Sequence, residues 1–165
     1  MIVLNYLLYY GIILPLSYMP LFILHGVADF FFLLLYYVFP YRKKVVISNL
    51  KSAFPEKTEQ EINSIARKFY RHFCSIMVES IKAFTISNET LLAHFKITNT
   101  EMLEKYYAQN RSVILVTGHY GNWEWAALTL ALQSRYQASG LYQPISNKFF
   151  DKIMQQTYVN YFYKY

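Results

Sequence analysis

Residues 112–126 read SVILVTGHYGNWEWA, and the predicted fold rests mainly on this stretch. The apolar run at 112–117 is rich in β-branched residues and too short for a helix of its own, which is typical of a buried strand. Gly118 ends it, and residues 123–133 follow with a helical pattern. A second candidate strand follows at 138–142 and a helical stretch at 147–158. This alternation of strands and helices predicts an α/β domain with a mostly parallel sheet.

The stretch before this motif is predicted to be helical. Helices are expected at 42–53, 88–95 and 101–108, and Thr58 and Glu61 form a capping-box pattern that opens a long amphipathic helix. Its apolar residues recur at helical spacing: Ile62, Ile65, Ala66, Phe69, Phe73, Ile76, Met77, Ile81 and Phe84. Since two strands do not make a stable open sheet, we expect residues 41–165 to be an incomplete first part of the domain, truncated at its C-terminus.

The N-terminal segment, residues 1–40, contains a single charged side chain, Asp29. Two prolines divide it into hydrophobic pieces at about 2–14 and 21–39, and the second is long enough to cross a bilayer. Neither a basic start nor a small-residue cleavage site marks a signal peptide, so we expect an uncleaved helical membrane anchor. The basic residues at 42–44 predict that the following domain lies on the cytoplasmic side. Whether the segment spans the membrane or dips into one leaflet stays open.

Two polar residues inside this segment, His25 and Asp29, stand four apart on one helical face. They could form a functional pair within the membrane. The interpretation that we favour is that their face looks toward the globular part or the lipid headgroups.

The apolar content and the net charge of the chain indicate which kinds of binding partner to expect. Apolar residues make up 55% of the chain and charged residues 16%, and the net charge is +6, which favours an anionic membrane surface or an acidic protein. Nucleic acid is not expected, because the chain has neither zinc-finger spacing nor an RNA-binding signature. The single cysteine, Cys74, cannot form an internal disulfide, and we expect it to be a buried small hydrophobic residue.

The candidate catalytic residues are His119 and Glu124. A histidine at the end of a parallel strand lies where open α/β sheets place their sites, and its imidazole can take a proton from a hydroxyl. A carboxylate one helical turn away can orient it, and Gly118 and Gly121 allow a close approach of substrate. The alternative is structural: a histidine at the sheet edge and an acid in the first turn of a helix, where acids are favoured anyway.

The motif VTGHYGNWEW at 116–125 resembles the His-x4-acid motif of the lysophospholipid acyltransferase superfamily, and most closely the bacterial lipid A biosynthesis lauroyl/myristoyl acyltransferase family. The resemblance extends over about residues 1–157. It includes the hydrophobic N-terminal segment, YRKKVVISNLKSAFP at 41–55, RKFYRHF at 67–73 and LYQPISNKFFD at 141–151.

The resemblance implies transfer of a fatty acyl chain from acyl carrier protein, or from acyl-CoA, to a hydroxyl of a lipid acceptor, in lipid A or related glycolipid biosynthesis at the bacterial inner membrane. His119 would deprotonate the acceptor and Glu124 would orient His119. Neither a metal nor an organic cofactor is implied. The remaining implied substrate-binding residues come from the two motif blocks: Gly121, Asn122, Trp123, Tyr142, Gln143 and Asn147.

Two departures from the family pattern keep other functions open. The chain has about half the family's length, and the helix after the second block lacks the family's arginine. One alternative is therefore a catalytically inactive, truncated membrane-bound remnant that only binds lipid or a partner. Another is a small membrane anchor protein in which His119 and Glu124 are incidental.

Overall fold

The computed structural model describes the backbone of residues 2–162 and the side chains of residues 2–159, and it is built from helices. Residues 163–165, the end of the predicted 41–165 region, lie outside the described residues. The elements in chain order are α1 (Ile2–Leu8), α2 (Leu14–Tyr18), α3 (Leu21–Leu33), α4 (Lys43–Ala53), α5 (Glu59–Lys82), α6 (Asn88–His94), α7 (Glu101–Tyr107), α8 (Trp123–Gln133) and α9 (Lys148–Phe162). Wider π-helical turns at Tyr9–Ile13 and Leu34–Val38 join α1 to α2 and extend α3.

The predicted α/β fold with a mostly parallel sheet is wrong, because residues 2–162 contain no strand. The runs at 112–117 and 138–142 are irregular and lie largely in solvent, with Ile114 91% and Val116 88% exposed. A strand forms only where a neighbouring backbone satisfies its N–H and C=O groups. Neither run has such a neighbour in the part of the chain that is described, so β propensity alone does not produce a ladder. The described fold is all-helical.

The helix predictions are confirmed, with one difference near the N-terminus. Pro15 does not end the first helix, which continues to Tyr18. Pro15 has no N–H to donate to a carbonyl in the preceding turn. The chain widens in the turn just before it, where the N–H of Leu14 donates to the carbonyl of Tyr9. The helix ends instead at Met19 and Pro20, and α3 begins at Leu21.

One compact unit comprises Met19–Glu79. Its core is formed by two stripes of buried residues, each spaced by four, so that one face of α3 with its π-turn meets one face of α5. The stripes are Leu24, Ala28, Phe32 and Tyr36 in the first helix, and Ile62, Ala66, Tyr70, Cys74 and Val78 in α5. Cys74 is buried as predicted, and burial raises the pKa of its thiol.

His25 and Asp29 face α5 within this unit. His25 Nε2 lies 3.8 Å from Glu79 Oε1, and Arg71 Nε donates to Asp29 Oδ1 at 2.9 Å. The interpretation that their face looks toward the globular part is therefore confirmed.

The second unit comprises Met1–Tyr18 and Ser80–Tyr165. In it α8 packs against α6 and α9, and α9 also contacts α1. The buried residues of α8 are Trp125, Leu128, Thr129 and Ala131. Because α8 lies among its neighbours in this way, its first turn, which carries the motif glutamate, has a fixed position in the unit.

Candidate functional site

The motif histidine lies in an exposed loop that leads into α8. All residues from 111 to 120 are exposed, His119 among them. The centroid of the His119 ring is 4.7 Å from that of Trp123, with the two rings edge to face. His119 therefore remains open to solvent and to a substrate while Trp123 restricts the movement of its ring.

The turn between His119 and α8 depends on a glycine. Gly121 has a φ of +59°, a backbone conformation that side-chain-bearing residues rarely adopt. A Cβ added at Gly121 would meet no atom within 4 Å. The requirement for glycine is thus conformational rather than steric.

Asn122 starts α8 and positions the motif glutamate. Its side-chain oxygen accepts a hydrogen bond from the N–H of Trp125 at 3.0 Å, which caps the helix. The capped first turn carries Trp123 and the half-buried Glu124. An acid is stabilised there by the partial positive charge of the helix N-terminus.

His119 and Glu124 lie on either side of this turn, but in the described residues no hydrogen bond or ion pair joins them. Catalytic hydrogen bonds are often long or misaligned before substrate binds.

The second predicted block lies at the start of α9. The Tyr142 hydroxyl is 3.3 Å from Asp151 Oδ1 and also accepts a hydrogen bond from Gln155. Asp151 also accepts from the N–H of Ile145 at 2.9 Å. These contacts fold the segment before α9 back onto the helix. Gln143 is exposed in this segment.

Asn147 caps α9 and links it to the N-terminal helix. Its Oδ1 accepts from the N–H of Phe149 at 3.1 Å. Its Nδ2 donates to Asn5 Oδ1 at 3.2 Å, and Asn5 Nδ2 donates to Asn147 Oδ1 at 3.3 Å. Nearby, the ring centroids of Tyr6 and Phe149 are 4.7 Å apart.

Helix α8 begins in the first block and packs against α9, which follows the second block. The negative charge of Glu124 interacts with Tyr158 on α9. The pKa of Tyr158 is raised to about 12, first by burial and then by that carboxylate. The structure therefore brings Glu124 near α9, whereas His119 lies in the loop on the other side of the cap.

Sequence reasoning missed four polar residues of this region: Asn5, Asp151, Gln155 and Tyr158. Asn5 carries the only side-chain amide in the apolar stretch 2–14, and Asp151 and Gln155 follow Asn147 at spacings of four on one helix face. Both features are visible in the sequence. Tyr158 stands among several aromatic residues, and nothing there sets it apart. In the described part of the chain, no three His, Cys, Asp or Glu side chains cluster as a metal site requires.

Comparison with known proteins identifies the family. The family model described as "Bacterial lipid A biosynthesis acyltransferase" matches residues 2–159, nearly the whole chain and both motif blocks. Neither a curated protein nor a solved structure matches the chain. Because the family match extends from α1 to α9, this protein belongs to the bacterial lipid A biosynthesis acyltransferases and is an acyltransferase enzyme.

Proposed function

We propose that the chain transfers a fatty acyl group from a thioester, carried by acyl carrier protein or coenzyme A, to a hydroxyl of a lipid acceptor in lipid A or related glycolipid biosynthesis. The observation that carries the proposal is the position of His119 and Glu124. Both lie inside the family match, His119 just before the capped first turn of α8 and Glu124 within that turn. The exposed loop leaves His119 accessible to both donor and acceptor.

In the proposed mechanism His119 acts as general base. Its imidazole takes the proton of the acceptor hydroxyl, and the oxygen attacks the thioester carbonyl. The tetrahedral intermediate then collapses with loss of the thiolate, which receives the proton from His119. Glu124 orients the imidazole and stabilises its charged form, as a carboxylate does in a catalytic triad. Gly121, Asn122 and Trp123 on one side, and Tyr142, Gln143 and Asn147 on the other, are the proposed substrate-binding residues.

The site of action that we propose is the bacterial inner membrane, with the catalytic part on the cytoplasmic side. Leu21–Val38 is the one helix in the described chain that is long and apolar enough to cross a membrane, by length and composition. Basic residues at 42–44 follow it, and such residues favour the anionic cytoplasmic surface. The net charge of +6 also suits an acidic carrier protein.

A second candidate is a lipid-binding member of the family without turnover. It is favoured by the irregular, exposed segment 111–120, in which His119 makes neither a hydrogen bond nor an ion pair with Glu124. It differs from the first candidate in a measurable way, because it predicts lipid binding without acyl transfer.

The test is an acyl-transfer assay with the full chain in detergent. Acyl carrier protein and coenzyme A thioesters are supplied separately with a lipid A precursor, and the acylated lipid is detected by mass spectrometry. We expect turnover that Glu124→Gln decreases by up to about 10,000-fold, as loss of the orienting carboxylate does in a catalytic triad, while Glu104→Gln, on α7, leaves it unchanged. Full activity of Glu124→Gln would remove this residue from the mechanism. Lipid binding with no turnover in the unaltered chain would favour the second candidate.

A further inference from the structure

We propose that Asn5 on α1 is a positioning residue for the acyl transfer described above. It holds the side-chain amide of Asn147 in one orientation, so that Asn147 offers an N–H in a set direction to an oxygen atom of the lipid acceptor. The inference rests on the proposed function, because it takes Asn147 as a substrate-binding residue. Asn5 and Asn147 belong to the same compact unit.

The orientation of the Asn147 amide is set first by α9. The backbone nitrogens of Phe149 and Phe150 lie 3.1 and 3.4 Å from Asn147 Oδ1. A backbone N–H can only donate, so the oxygen of the amide, and not its nitrogen, must face the start of α9. The amide nitrogen is then left for a contact outside α9.

Asn5 makes that contact and closes a reciprocal pair. Asn147 Nδ2 donates to Asn5 Oδ1 at 3.2 Å, and Asn5 Nδ2 donates to Asn147 Oδ1 at 3.3 Å. An amide nitrogen carries two N–H groups, of which the pair uses one. Because the amide is planar and is held both by the cap and by Asn5, the direction of its second N–H is fixed as well.

The second N–H of Asn147 suits the chemistry of a lipid acceptor. As a donor it can bind a hydroxyl, carbonyl or phosphate oxygen. The segment just before it carries Tyr142 and Gln143, and Asp151 holds this segment against α9 by accepting from the N–H of Ile145. A donor of fixed direction therefore stands beside the other proposed binding residues of the second block. Asn5 contributes without touching the lipid, since it limits Asn147 to one orientation.

The surroundings of the pair make its two hydrogen bonds effective. Asn5 and Asn147 are both half-buried. The ring centroid of Phe149 lies 4.7 Å from that of Tyr6 and 6.0 Å from that of Tyr9. Aromatic rings around an amide pair exclude part of the water, which strengthens the hydrogen bonds and makes it costly to leave one amide without its partner.

The pair also sets the register of α1 on α9, two helices that are in contact. Asn5 carries the only side-chain amide in residues 2–14. A slip of one residue along α1 would turn this amide by about 100° around the helix axis and break both hydrogen bonds. A single polar residue in an apolar helix contact is a known way to specify register. The same two bonds therefore hold α1 in place and hold the Asn147 amide in its orientation.

The test measures the Kd of a lipid A precursor for the full chain in detergent, with the KM and kcat of acyl transfer measured on the same samples. Asn5→Leu removes the amide but keeps an apolar side chain of similar size. Asn5→Gln keeps the amide. Asn49→Leu changes an exposed asparagine of α4 in the same way and is the matched control.

We expect Asn5→Leu to raise the Kd and KM for the precursor about 3- to 10-fold, the effect of about one hydrogen bond. The kcat should stay near that of the unaltered chain, because the pair holds a binding residue and not the proposed catalytic pair. Asn5→Gln should bind more tightly than Asn5→Leu, and Asn49→Leu should bind as the unaltered chain does. An unchanged Kd in Asn5→Leu, or equal weakening in Asn5→Gln, would overturn the inference. Loss of the fold in Asn5→Leu, seen by circular dichroism, would make Asn5 a structural residue and would overturn it too.

A double variant tests whether Asn5 acts through Asn147. Asn147→Ser keeps an oxygen that can cap α9 but removes the amide. In this background Asn5→Leu is expected to raise the Kd no further, because the partner through which Asn5 acts is already gone. A further rise of the same size would show that Asn5 acts by another route and would contradict the inference.

Failure of the inference and failure of the proposed function give different results. If the unaltered chain binds the precursor without acyl transfer, the proposed turnover fails and the inference is decided by the Kd values. If acyl transfer occurs and Asn5→Leu has the Kd of the unaltered chain, the inference alone fails. A chain that does not bind the precursor would contradict both.

Discussion

At the scale of single residues, the motif turn depends on the backbone of Gly121. Its φ of +59° costs about 1–2 kcal/mol for a residue with a Cβ. We expect Gly121→Ala to lower the free energy of unfolding by about that amount. Gly118→Ala, in the same loop but without a positive φ and with open space around its Cβ position, is the matched control. Thermal unfolding in detergent measures both, and equal values for the two variants would contradict the conformational role of Gly121.

Tyr158 gives a prediction for alkaline pH. Since its pKa in the folded chain is raised to about 12, above the ordinary value of about 10, the unfolded chain loses this proton first as pH rises. The contribution of Tyr158 to stability is therefore complete below pH 10 and is lost between about pH 10 and 12. Because Tyr158 is partly exposed, solvent screening limits this contribution to about 1 kcal/mol.

The measurement is the decrease in the free energy of unfolding between pH 9 and 12. We expect the decrease to be smaller in Tyr158→Phe than in the unaltered chain. Tyr120→Phe, which changes a tyrosine that is 93% exposed, controls for the many other tyrosines. The same loss in both variants would mean that burial near Glu124 does not act on Tyr158.

At this scale the sequence identified the residues of the motif but not their partners. The prediction of His119 and Glu124 as a catalytic pair came from their spacing, the glycines around them and the family resemblance of the motif. The contacts of Asn147 with Asn5 join residues 142 positions apart, and no local pattern indicates such a pairing. The assignment of catalytic roles to His119 and Glu124 remains a prediction.

At the scale of elements, the cap at Asn122 fixes where α8 begins. Asn122→Ala removes the cap and is expected to lower the free energy of unfolding by about 1 kcal/mol. Asn122→Asp keeps an acceptor oxygen at the cap and should retain most of this stability. Chemical unfolding of the three proteins checks the order. If Asn122→Asp were as unstable as Asn122→Ala, the cap would not be the source of the effect.

Helices were predictable and strands were not, for a physical reason. A helix satisfies its hydrogen bonds within itself, so Thr58 and Glu61 could mark the start of α5 from local sequence alone. A strand needs a partner that is distant in sequence. The run at 112–117 has the composition of a strand but is irregular in the described chain, which composition cannot reveal.

The buried face of α5 was predicted only in part. Its apolar residues cover more than half of the helix circumference, so periodicity allowed several choices. Packing against α3 buries Tyr70 and Val78, whereas Phe69 and Met77 are 44% and 53% exposed. The choice among them depends on the partner helix and not on α5 itself.

At the scale of the whole molecule, stability of the unit Met19–Glu79 depends on the stripe between α3 and α5. Leu24 is fully buried in it, whereas Leu33 on the same helix is 53% exposed. Leu24→Ala is expected to cost about 2–5 kcal/mol because it leaves a cavity, and Leu33→Ala less than about 1 kcal/mol. Thermal unfolding in detergent compares them, and similar midpoints would contradict the assignment of the core.

The family assignment connects these scales, because both motif blocks and the N-terminal helices fall within one match over residues 2–159. The central claim beyond the family is that His119 performs general base catalysis in acyl transfer. It predicts a large effect of one exposed residue on rate with little effect on stability, since the His119 side chain contacts Trp123 but is not part of a buried core.

The most direct measurement is the initial rate of acyl transfer by the full chain, His119→Ala and His72→Ala, with circular dichroism to confirm that all three are folded. We expect His119→Ala to lose about 100- to 10,000-fold in rate and His72→Ala, a histidine exposed on α5, to retain the rate of the unaltered chain. Equal rates for the two variants in a folded, active protein would contradict the catalytic role of His119.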